Sequence, residues 1–421
     1  VATSADAMPW LTEYAGLHAD FSALASTRER LRWSCRTGCE QTVMTLVLDC
    51  GADVNEASGS GETTPLFLAS RNGHVHCVRA LVHLADAASP GRPSPSASGS
   101  KTINIDAVRR SDGVSSLFIA CQKGHAAVLR ALLDAGADTN LVADDGSSPL
   151  FVASQAGHAE VVKALLDAGA DPHLVADDGA TPLFISAERG HADVASLLAN
   201  SRGGPSLVNR AAEDGASPLI AAIERGSSSV TKLLLAAGAD VNQRMDGDVG
   251  ALYVAASQGW GCIALLLLEA GAQVDQATEA GMTPLQVAAA QGHSAAVVAL
   301  LCYGACVDFG GSAEGQDQAE LQQQQQQQQH GGATIGDGGQ TALFLACQSG
   351  HSEVVSQLLA KNASPGIRRS KDGATPLWIA TKNGHDACVE CLLRARCDPN
   401  ESAITAITSS SSSSSSVNNT T

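Results

Sequence analysis

The chain has 421 residues, 44% of them hydrophobic, 16% charged and only 3% aromatic, with a formal net charge of −17. That charge argues against a nucleic-acid backbone or an anionic membrane surface as principal ligand, since both recruit Lys and Arg, and it suits a basic partner. No run of 18 apolar residues occurs, which speaks against a membrane span. From the N-terminus, Val1 to Trp10 lacks the basic start and apolar core of a signal peptide. A chain that begins with Val reads as a processed product or a fragment of something longer. Residues 1–36 carry a helix-like pattern around Phe21, Leu24, Leu31 and Trp33, expected to form a degenerate helical cap over the end of a stack. The stretch from Thr45 to Asn55 looks like the tail of a repeated unit whose full copies follow.

Full copies begin at Thr64, Ser115, Ser148, Thr181, Ser217, Gly250, Thr283, Thr341 and Thr375. Four of the steps are 33 residues long, and a fixed period of this size marks stacked supersecondary units. Ser or Thr opens eight of the nine copies and caps a helix by accepting from a free amide of its first turn. Pro follows in six, at the first helical position, where its missing N–H costs nothing. Leu comes next in every copy, and a small residue stands five places past the start, where it lets neighbouring helices approach closely. Nine places past each start is Gly, from Gly73 to Gly384, predicted to end the helix in the left-handed conformation. A second helix is predicted beyond it, with Leu seventeen places past each start, from Leu81 to Leu392. Gly-Ala-Asp often closes that helix, as at Gly136–Asp138, and a turn such as Asp145-Gly146 leads to the next copy.

The unit from Ser148 to Asp171, together with its eight companions, resembles the ankyrin repeat over roughly residues 37–400. The resemblance implies an all-α solenoid of helix–turn–helix units joined by β-hairpin or turn fingers, with about nine full repeats and a partial N-terminal one. His74, His125, His158, His191, His293, His351 and His385 each follow the conserved Gly position; in such repeats this His ties adjacent units together by hydrogen bonds. Ser227 and Trp260 replace it in two copies. The place usually held by His in the first helix carries Phe67, Phe118, Phe151, Phe184, Ile220, Tyr253, Gln286, Phe344 and Trp378 instead.

The repeat domain is expected to run over 37–401 with two flexible insertions. One, near 86–101, is rich in Pro, Ser and Gly; the other, near 310–338, contains the eight consecutive glutamines Gln322 to Gln329. A Ser-rich tail over 402–421, with Ser409 to Ser416 unbroken, is expected to be disordered.

Signatures of catalysis are missing. No Lys follows a Gly, no Gly-x-Ser-x-Gly elbow occurs, and there is no His-Glu-x-x-His. The twelve cysteines are scattered, mostly at small apolar positions, and read as reduced thiols in an intracellular protein. Cys388, Cys391 and Cys397 stand where other copies have Val and Ala, and they number one fewer than a structural zinc site takes. They read as core residues, so neither metal nor cofactor is expected.

Partners of similar proteins bind the hairpin tips and the first-helix face. Carried over by register, that face includes Arg71, Lys123, Gln155, Arg189, Arg225 and Gln258. At the fingers, Asp112, Asp145, Asp178, Asp214 and Asp372 are explained by turn chemistry. One residue earlier in register stand Asp144, Asp177, Glu213, Asp246 and Glu279. Turn chemistry does not require these acids, and stacking would align them into a negative stripe able to draw in a basic segment. The expectation is a non-enzymatic protein–protein interaction scaffold or adaptor. It would be monomeric and cytoplasmic, with the nucleus left open, and would bind protein rather than nucleic acid or membrane. The alternative is the substrate-recruiting region of a larger enzyme, such as a kinase, ubiquitin ligase or acyltransferase.

Overall fold

A computed structural model describes residues 26–57, 63–86, 103–310, 340–369 and 372–395. Apart from Asp86 and Gly310, the two expected insertions lie outside the described residues, as does the tail. Of the expected cap, only 26–36 is described. The chain divides into two units, Val1–Leu207 and Val208–Thr421.

In the first unit, five helix pairs follow one another among the described residues: α1 (Thr27–Thr37) and α2 (Glu40–Leu48), α3 (Pro65–Arg71) and α4 (Val75–Asp86), α5 (Ser116–Lys123) and α6 (Ala126–Asp134), α7 (Pro149–Ala156) and α8 (Ala159–Asp167), α9 (Pro182–Arg189) and α10 (Ala192–Ala199). The short α11 (Gly204–Leu207) closes the unit. First helices pack in the order α1, α3, α5, α7, α9, and second helices in the order α2, α4, α6, α8, α10, giving two layers. The pair α1–α2 therefore occupies the place of a repeat's two helices in this stack.

Local chemistry explains each pair. The Ser148 hydroxyl accepts from the Phe151 amide at 3.1 Å, Pro149 starts α7, and Gly157 ends it at φ 77°. The same cap recurs at Thr64, Ser115 and Thr181. Leu66, Leu117, Leu150 and Leu183 are buried between the layers, as are Leu81, Leu132, Leu165 and Leu198. Ser186 fits the small-residue position by turning its hydroxyl back to the Leu183 carbonyl.

Neighbouring repeats are also tied by their backbones. His125, His158 and His191 each donate from Nε2 to a carbonyl of the preceding repeat, at Arg71, Gln122 and Gln155. Each ring lies against the preceding repeat's glycine: a Cβ on Gly157 would stand 2.8 Å from His191 Cε1. That seat, together with the positive φ, explains why Gly recurs there.

The second unit holds α12 (Pro218–Glu224), α13 (Ser228–Ala236), α14 (Ala251–Ser257), α15 (Gly261–Glu269), α16 (Pro284–Gln291), α17 (Ser294–Cys302), α18 (Ala342–Ser349), α19 (Ser352–Ala360), α20 (Pro376–Asn383) and α21 (Asp386–Arg394). The same two-layer order holds, first helices on first and second on second. Fingers are hydrogen-bonded turns more than ladders. The only strands among the described residues are the antiparallel β1 (Arg244–Met245) and β2 (Val249–Gly250). In that finger the non-glycine Asp248 takes φ 58°, the left-handed region that Asp tolerates better than most residues.

Helices α16 and α18 pack directly although residues 311–339 separate their repeats. Gln286 holds the two flanks together. Its Nε2 donates to the carbonyls of Phe309, at 3.2 Å, and Gln340, at 2.8 Å, while its Oε1 accepts from the Thr283 amide at 2.8 Å. Asp308 adds a second tie, accepting from the amide and hydroxyl of Ser364. The replacement of Phe by Gln at this one position is thus explained by the carbonyls it must satisfy.

Candidate functional site

Three successive repeats of the first unit enclose an open groove of about 740 Å³. Its floor is apolar, with Phe118, Ile119, Phe151, Val152 and Ile185 from the first helices α5, α7 and α9. One wall is the row of fingers, the other the ends of the first helices. The finger wall is built by backbone hydrogen bonds between successive turns: the Asp144 amide donates to the Asp112 carbonyl, and the Asp177 amide to the Asp145 carbonyl, each at 3.1 Å. Within each turn, Asp145 and Asp178 accept from the amide two residues on, which spends their carboxylates on turn geometry. Asp144 and Asp177 are exposed and lean back over the preceding fingertip glycine. A Cβ on Gly113 would stand 2.5 Å from Asp144 Oδ1, and one on Gly146 2.9 Å from Asp177 Oδ1.

The electrostatics of the groove are lopsided. Its lining holds six carboxylates, Asp112, Asp144, Asp145, Asp177, Asp178 and Glu188, against the guanidinium groups of Arg109 and Arg189. Both arginines have carboxylates at hand. Arg109 forks onto Asp112, with Nε donating to Oδ1 at 2.7 Å, and its guanidinium covers the Phe67 ring at 5.0 Å. This hydrogen bond holds the Asp112 carboxyl below its usual range and raises Arg109. Arg189 lies 3.8 Å from Glu188. Asp144, Asp145, Asp177 and Asp178 form no ion pair among the described residues, so the net field in the groove is negative.

Four residues singled out by register therefore line one groove: Asp144, Asp177, Gln155 and Arg189. Lys123 is exposed but does not line it; Gln122, one residue earlier, does. Arg71 is exposed at the end of α3, outside the lining. In the second unit, Glu213, Asp246 and Glu279 are all exposed at fingertips. There the Asp246 amide donates to the Asp214 carbonyl and the Glu279 amide to the Gly247 carbonyl. Arg225 and Gln258 are exposed C-caps of α12 and α14.

Sequence reading missed the Arg109–Asp112–Phe67 cluster, which has a twin in Arg369, Asp372 and Phe344. The available signal was an Arg six places before a repeat start with an Asp three places before it, found only at these two fingers. Cys35, Cys77, Cys121, Cys347 and Cys388 are buried as expected of core residues, whereas Cys50, Cys262, Cys302 and Cys306 are exposed. Burial pushes Cys35 well up and Cys77 to about 12, so neither is a nucleophile at neutral pH. Cys391 is half-buried, and Cys397 lies outside the described residues.

Stacked helix pairs with fingers between them define a helical-repeat protein. A family model described as ankyrin repeats in three copies matches residues 31–143, 97–176, 150–245, 246–309 and 316–403, and the chain belongs to the ankyrin-repeat family. No curated protein matches it. Ankyrin repeats generally mediate protein–protein interaction, and such domains are typically non-catalytic. Among the described residues, no helix is long and apolar enough to cross a membrane.

Proposed function

We propose that the chain is a protein-interaction scaffold that takes a basic segment of its partner in the groove of the first unit. One observation carries this reading: four groove carboxylates form no ion pair among the described residues, while both groove arginines already face acids. A cationic segment would supply the missing charges over an apolar floor that its side-chain stems can cover. Glu213, Asp246 and Glu279 offer the same chemistry on the second unit. Arg71 and Lys123 are polar residues of the first unit outside the groove lining, and Arg225 and Gln258 are further candidate contacts on the second unit. The net charge of −17 favours protein over nucleic acid as the ligand, and the scaffold acts as a monomer in the cytoplasm or nucleus with its thiols reduced.

The test is a titration of an Arg-rich peptide into the purified chain, followed by fluorescence anisotropy at low and moderate salt. Exposed ion pairs are worth about 0.2–1 kcal/mol each. Replacing Asp144 and Asp177 together by Lys removes two and adds repulsion, a total of roughly 1–2 kcal/mol, or about five- to thirtyfold in Kd. Equal binding by the double variant would move the partner away from the groove.

A further inference from the structure

We infer that the groove reads the spacing of cations, selecting Lys or Arg three residues apart on a chain held in the polyproline II conformation. The inference rests on the proposed basic partner and adds to it a rule for which basic segments fit.

Asp144 and Asp177 hold the same position on successive fingers, and amide-to-carbonyl bonds fix both turns. Opposite them, Gln122 and Gln155 hold the same position on successive first helices and line the same groove. Neither glutamine side chain has a hydrogen-bond partner among the described residues; only their backbone carbonyls are used, by His158 and His191. The repeats that begin at Ser115 and Ser148 therefore each offer one carboxylate on one wall and one amide on the other that have no partner among the described residues.

The period of this pattern follows from the packing of α5 on α7 and α7 on α9, because directly packed helices lie about 8–10 Å apart. A chain running along the groove must present one cation per period on the same side. A β-strand repeats its side every two residues, about 6.6–6.8 Å, and then at about twice that, so it misses. Polyproline II has three residues per turn and rises about 3.1 Å per residue, which returns the same side every ~9.3 Å. Its backbone makes no internal hydrogen bonds and needs partners, which the glutamine amides can supply as both donors and acceptors. An α-helix would match at about 10.5 Å with cations seven apart, but its backbone would leave both amides unused.

The experiment measures anisotropy or calorimetry with the full chain and short synthetic peptides of one composition. Two Arg in a Pro/Ala background are placed two, three, four or seven residues apart. The peptide with Arg three apart is expected to bind up to about fivefold tighter than those with Arg two or four apart, the upper end of the range of one exposed ion pair. Asp177→Asn should erase that preference while leaving the weaker binding of the others nearly unchanged. Gln122→Ala with Gln155→Ala should weaken the three-apart peptide most. Equal affinity at all spacings would overturn the spacing rule and leave the basic-partner reading standing. Preference for seven apart would overturn it in favour of a helical ligand. Binding of none of the peptides would overturn both.

Discussion

Replacing Gln286 by Met tests how the fold carries its stack past the insertion. Met keeps the length and volume of the side chain and removes only its amide. In the native chain this buried side chain makes three hydrogen bonds, to Thr283 N, Phe309 O and Gln340 O. Losing all three leaves an amide and two carbonyls to find water or go without. Each lost bond is worth about 0.5–1.5 kcal/mol net, and each group left unsatisfied in the interior costs about 1–3 kcal/mol. Phe309 and Gln340 are only half-buried, so their carbonyls recover part of the loss, and a total of about 2–4 kcal/mol is expected. Because a repeat stack is stabilised by nearest-neighbour interfaces, the loss should concentrate where α16 meets α18. Native-state hydrogen exchange resolves such local opening. Amides of α18 and α19 should exchange about 30- to 700-fold faster in the variant, while those of α3 to α8 stay unchanged. Unchanged protection in α18 and α19 would show that apolar packing and the Asp308–Ser364 hydrogen bonds bridge the insertion without Gln286.

Gly157→Ala and Gly169→Ala place a Cβ on residues of similar positive φ, 77° and 88°, but only the first meets His191, at 2.8 Å. Left-handed strain costs about 1–2 kcal/mol in both, and the collision adds about 1–3 kcal/mol at Gly157; equal urea midpoints would refute the seating of the histidine. The Asp372 carboxyl, hydrogen-bonded first of all by Arg369, is held at about 2 against an ordinary 3.8. Its contribution to stability is thus complete above pH 4 and lost as pH falls from there towards 2. A carboxyl NMR titration placing its midpoint at or above the ordinary value would refute the ion pair.

What could be read from the sequence was whatever repeats locally. Caps such as Ser148, the left-handed Gly157 and the buried Leu150 act within a few residues of their neighbours, so their spacing shows in the chain itself. The His ties needed the resemblance, because their partners lie 36 to 61 residues away. Gln286 stood out as a departure from pattern but could not be explained, since its partners, 23 and 54 residues off, flank the Gln-rich insertion. Arg109 was missed for a related reason: the ring it covers belongs to the preceding repeat, on the far side of the other insertion.

The acids at the fingertips fall between these cases. Their alignment was foreseeable, because stacking turns any position repeated every 33 residues into a row. Their freedom was not, since it depends on Asp145 and Asp178 supplying the turn's hydrogen bonds and on the groove arginines facing other acids. Turn geometry thus has no use for the Asp144 and Asp177 side chains, nor does any ion pair within the described residues. A carboxylate placed at the same fingertip position in successive repeats, and left unneutralised among the described residues, is what supports the proposal that these acids meet a cation from another chain.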